Sequence, residues 1–135
     1  MYINIQLFSM YKNNTNMISE ERSKNADGTC LQDTMYYCWD LKRKGENMNN
    51  WRIIHAIVER STDKLRHPHA VVYNVKTKEI YEVSNRFKNN PVILPFLIWS
   101  QMGNISNMKN WDIGQLNYKN SETMTWEFHH LNINN

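Results

Sequence analysis

Three side chains stand in an order that supports thiol chemistry. Cys30 follows Gly28-Thr29, His69 follows His67-Pro68, and Asn85 closes the run Ile80-Tyr81-Glu82-Val83-Ser84. A thiolate attacks amide and ester carbonyls, and an imidazole beside it can take and return the proton. A side-chain amide oxygen can hold the imidazole's tautomer and ring orientation while its other nitrogen faces the sulfur. The thiolate is favoured further at a helix N-terminus, where the macrodipole is positive, and beside an imidazolium. Cys30 must therefore open a helix, and His69 must stand beside Asn85.

The elements needed for this can be read from periodicity. From Thr29 to about Arg43, Leu31, Met35, Cys38, Trp39 and Leu41 fall at helical spacing, with Asp27 or Thr29 available as a cap and Gly45-Glu46-Asn47 as a stop. The β-branched run from Trp51 to Arg60 predicts a strand, and His69 to Asn74 with Ile80 to Asn85 predict two arms of an antiparallel hairpin. Pro68 is expected at the first edge of its strand. Centred on Thr77, the hairpin places His69 opposite Asn85, with Cβ atoms about 4.5–5.5 Å apart. Val71 then faces Val83, and Tyr73 faces Tyr81 on the same side of the sheet. Ala70 and Ser84, with Val72 and Glu82, take the other side, and a one-residue slip would undo the pairing.

Elsewhere the periodicity is weaker. Residues 2–8 alternate enough for a short strand and 17–23 allow a short helix. Pro91 to Met102 is strongly apolar and fits either a buried helix starting near Pro95 or an extended segment. The tail carries Trp111, Leu116, Tyr118, Trp126 and Phe128, which is too aromatic for disorder, and Met124 to Leu131 fits a strand packed back on the fold.

The run Gly28-x-Cys30 leading into an apolar helix, then His69-Ala70-Val71-Val72 and Tyr81-x-x-x-Asn85, resembles the core of the papain-like and transglutaminase-like cysteine proteases over residues 27–87. Val71 stands where an aromatic often follows His-Ala in the transglutaminase-like group, and Asn85 where Asp is commoner, although papain-like peptidases use Asn. The Asp-Cys-Ser-Gly signature of NlpC-type endopeptidases is not present. The resemblance implies an α+β fold in which an N-terminal helix carrying the Cys packs on an antiparallel sheet. It also implies a Cys30-His69-Asn85 triad, acting as a cysteine-dependent hydrolase or acyltransferase on protein or peptide amides through a thioester. The oxyanion would be held by the Cys30 backbone N–H and one of Asn25, Lys24 or Gln32.

Size and composition bound the remaining readings. With 135 residues, 41% hydrophobic and no Pro/Gly-rich divider, the chain is expected to form one domain, residues 88–135 packing as an extension on the 27–87 core. A net charge of +3 spread over scattered Lys and Arg gives little support to nucleic-acid binding. The opening MYINIQLFSMYKNN lacks a signal-peptide pattern and no apolar run reaches about 18 residues, so a cytoplasmic protein is expected, in a host cytoplasm if a phage or mobile element encodes it. Cys30 and Cys38, eight residues apart on one helix, would be about 12 Å apart. That exceeds the roughly 7 Å that a disulfide spans, so both are expected to be thiols, Cys38 in the core. His67, His69, Cys30 and Cys38 lack the paired spacing of zinc ligands, His55 and His129-His130 read as strand or surface polarity, and no metal or cofactor is expected. The contrasting reading is a small non-catalytic binding or inhibitor protein on the same fold.

Overall fold

The computed structural model describes residues 9–22, 30–60, 62–84, 87 and 89–112. The expected strands at 2–8 and 124–131, the caps Asp27 and Thr29, Asn85, and His129-His130 all lie outside those residues. The elements in chain order are α1 (Lys12–Arg22), α2 (Cys30–Arg43), a 3-10 turn at Met48–Asn50, β1 (Trp51–Glu59), β2 (Arg66–Asn74), β3 (Glu79–Glu82), β4 (Val92–Pro95), the single turn α3 (Phe96–Trp99) and β5 (Ser106–Asp112). The fold is α+β, with one five-stranded sheet in the order β4-β3-β2-β1-β5. Every pairing is antiparallel.

Helices cover both faces of the sheet. On one, Leu31, Met35, Cys38 and Leu41 of α2 pack on Trp51, Ile53, Ala70, Val72 and Val83. On the other, Ile18 of α1 with Ile98 and Trp99 of α3 packs on Ile54, Val71, Tyr73, Ile80 and Leu94. Double coverage explains why β1 reads as a nearly unbroken apolar run instead of an alternating one. α2 spans the residues expected of it, with Asp33 in the first turn and Lys42 and Arg43 in the last, as the macrodipole favours. It ends in a Schellman motif: Gly45, at φ 88°, donates its N–H to the Lys42 carbonyl, and Glu46 donates to Leu41, each at 3.1 Å.

The hairpin register differs from the expected one by a single residue. Asn74 Oδ1 accepts the backbone N–H groups of Lys76 at 2.9 Å and Thr77 at 3.1 Å. Lys78 takes the left-handed conformation at φ 61°, and its N–H returns to the Asn74 carbonyl at 2.8 Å. This Asx turn closes the loop with Asn74 paired to Glu79, so Val72 pairs with Tyr81 and Tyr73 with Ile80. The expected pairs Tyr73 with Tyr81 and Val72 with Glu82 are thereby corrected. Because side chains alternate, the slip turns β3 over. Tyr81 and Val83 join the α2 side, while Ile80 and Glu82 move to the side of His69, Val71 and Tyr73.

Three other expectations are refined. β2 begins at Arg66 rather than at Pro68, which pairs with Ile57 inside the strand. Its missing N–H is tolerated because β3 pairs with β2 only from Val72 onward, leaving that flank without a strand among the described residues. The helix expected at 17–23 begins earlier, at Lys12, and Asn14 ties it to the sheet through a 2.9 Å bond from Nδ2 to the Ile93 carbonyl. The apolar segment after Pro91 realises both of its readings in succession, β4 and then α3, so the described part of the extension supplies both edges of the sheet.

Candidate active site

Cys30 is the first residue of α2 and is half-buried. Its Sγ lies 4.0 Å from the carbonyl oxygen of Pro68, the residue before His69. The thiol and the imidazole belong to different sides of the sheet. α2 lies on the Ala70 and Val72 side, whereas His69 shares the parity of Val71 and pairs with Ala56 of the opposite core. They approach each other at the flank of β2 that β3 leaves uncovered.

The group that orients His69 is Glu82. Its Oε2 lies 2.7 Å from His69 Nε2, and its Oε1 accepts the indole N–H of Trp99 at 2.9 Å. All three side chains are enclosed, with exposures of 8% for His69, 2% for Glu82 and 0% for Trp99. Burial by itself pushes an imidazole toward its neutral form. Here the Glu82 carboxylate outweighs that, joined by the hydrogen bond and charge of Cys30, and His69 is raised from 6.5 to about 9. The ring is thus favoured as an imidazolium at neutral pH, with Nε2 committed to Glu82.

The second thiol sits in a contrasting environment. Cys38 is 1% exposed within the α2 core, and burial pushes it up to about 12. Both thiols are free. Of the expected oxyanion donors, the Cys30 N–H stands at the start of the helix and Gln32 in its first turn, while Lys24 and Asn25 lie outside the described residues.

A cleft of about 300 Å³ runs beside α2, lined by Gln32, Asp33, Tyr36, Tyr37 and Asp40 from the helix and by Val83 from the segment after β3. Asp33 and Tyr37 stand one and two turns beyond Cys30, so the cleft continues the stripe on which the thiol lies. Trp51 is buried in the core, and Trp39 packs edge-on against Tyr36 at 5.3 Å; neither lines the cleft.

Cys30 and His69 are therefore brought together, whereas Asn85 falls outside the described residues and Glu82 occupies the orienting position at His69. Centring the hairpin on Thr77 puts Glu82 on the opposite face from His69, and the one-residue shift brings it round. The signal that finds it is Asn74, an Asx-turn former directly before the loop. By sequence Trp99 is one more apolar residue, since nothing local marks an indole that bonds a carboxylate on a distant strand. No helix among the described residues is long and apolar enough to cross a membrane. No protein-family model, curated protein or solved structure matches the chain.

Proposed function

We propose that this chain is a cysteine-dependent hydrolase or acyltransferase acting on protein or peptide amides, with Cys30 as nucleophile, His69 as acid and base, and Glu82 as the residue that orients His69. The observation that carries this reading is the buried Glu82 carboxylate on His69 Nε2, with Cys30 acting on the same ring. A carboxylate enclosed this deeply next to an imidazole is an expensive arrangement for structure alone and a useful one for catalysis. A cleft of about 300 Å³ lies beside α2, and neither Cys30 nor His69 is among the residues that line it.

In this mechanism Cys30 attacks the substrate carbonyl carbon as the thiolate, its proton already carried by His69, and the carbonyl π pair moves to oxygen, where the Cys30 backbone N–H would stabilise it. The intermediate collapses with cleavage of the C–N bond, and the imidazolium of His69 donates its proton to the departing amine. The thioester that remains is attacked by water or an amine, whose proton His69 takes as the sulfur leaves. Glu82 keeps its charge throughout and holds the ring in place, as the orienting carboxylate does in other nucleophile–imidazole pairs.

The test is capture of the acyl intermediate. Exposure to an activated ester, followed by peptide mass spectrometry, should place the acyl group on Cys30, with Cys30→Ala unmodified and His69→Ala strongly slowed. Iodoacetamide at pH 7 should likewise modify Cys30 well ahead of Cys38, whose thiol is held to about 12 by burial. Preferential modification of Cys38, or a Cys30 rate indifferent to His69, would overturn the assignment in favour of a non-catalytic binding protein.

A further inference from the structure

We propose that Trp99 is a positioning residue for this site: its indole N–H fixes one oxygen of Glu82, so that the other is held on His69 Nε2. The inference rests on the functional reading above, which makes no use of Trp99.

The geometry separates the two oxygens of the carboxylate. Oε1 receives Trp99 at 2.9 Å and Oε2 meets His69 at 2.7 Å. The terminal torsion of a carboxylate is broad and roughly two-fold, so its orientation is set by the donors it accepts. A donor on the far oxygen restricts that torsion and helps align the near oxygen with the imidazole. Hydrogen bonds to an ionised acceptor are also about twice as strong as neutral ones, so the indole stabilises Glu82 in its charged form.

The surrounding fold keeps Trp99 in place. It ends the single turn α3, which follows β4 directly, and the edge pairing of β4 with β3 sets its position over Glu82. Its ring packs against Phe96 with centroids 6.2 Å apart and has no exposure. A purely apolar site would be filled equally well by Phe; an indole places its single donor on the one buried carboxylate nearby. Among the described residues, the titratable side chains facing His69 are Glu82 from β3, Cys30 from α2 and His67 from β2, whose ring centroid is 6.5 Å away. Trp99 reaches this group through Glu82.

Trp99→Phe retains most of the ring volume and deletes the donor. The expected result is a folded protein, by circular dichroism, in which the His69 titration followed by imidazole NMR shifts to lower pH. Acylation of Cys30 at pH 7 should fall about tenfold, the scale of one hydrogen bond to a charged group. An unchanged His69 titration and unchanged acylation in the folded variant would reduce Trp99 to packing and overturn the proposal. A second measurement needs no variant. In the wild-type protein the Trp99 indole N–H resonance should move with the same midpoint as His69, and an indole resonance flat across that titration would also overturn it. Failure of wild-type Cys30 to acylate would instead defeat the functional reading, while the Trp99, Glu82 and His69 coupling would still be read by NMR.

Discussion

Replacing Glu82 by Gln removes the charge that keeps His69 protonated while preserving the shape of the side chain. The amide oxygen can accept from Trp99, and the amide nitrogen can donate to a neutral His69 Nε2, so both of these hydrogen bonds can be kept with the ring uncharged. In the native protein His69 is raised from 6.5 to about 9, which corresponds to roughly 3 kcal/mol of stabilisation of the imidazolium form. Because the folded-state value lies above the unfolded one, the contribution is fully present below about pH 6.5 and is lost as pH rises through about 9. The native protein should therefore lose stability across that window, by a large fraction of the 5–15 kcal/mol typical of a folded domain. Glu82→Gln should lack this slope, since its His69 titrates nearer to 6.5. Urea denaturation of both proteins at intervals from pH 6 to 9.5 gives the comparison, and taking the difference cancels groups common to both. The gap should be about 3 kcal/mol at pH 6.5 and shrink toward zero at pH 9.5. A gap that is the same at every pH would show that Glu82 does not set the charge of His69, and would refute the electrostatic account of the site.

Two further expectations concern the turn that sets the register. Asn74→Ala removes the acceptor of two backbone N–H groups and should lower stability by about 1–2 kcal/mol in chemical denaturation. The His69 titration should broaden or move in that variant, because the turn aims Glu82. Lys78→Gly relieves a left-handed backbone at φ 61° and should raise stability by up to about 1 kcal/mol, an effect readable as an increase in Tm.

Elements were legible where burial leaves a local pattern, as one apolar stripe on α2 or an almost continuous apolar run on the doubly covered β1. α2, β1 and the two hairpin arms follow from Leu31, Met35 and Leu41 and from the run Ile53 to Val58, and the free Cys30 and buried Cys38 follow from their places on the helix. β5 was not legible. Ser106 to Asp112 is largely polar and becomes a strand because β1 offers it an unpaired edge. The same holds for Trp99, which reads as one more apolar residue until the chain returns it to Glu82 across the sheet.

Residue types and local spacing were enough to put a thiol at a helix start and an imidazole on a nearby strand, since both properties depend on neighbours a few residues away. They did not decide which acidic or amide side chain meets that imidazole. Strand pairing has a side-chain period of two residues, so a shift of one, set by the Asn74 turn, transferred Glu82 from one face of the sheet to the other. The approach of Cys30 to His69 from opposite faces was likewise a tertiary outcome, fixed by where β3 stops pairing with β2. The charge on the ring followed from enclosure together with Glu82, and neither exists before the chain has folded.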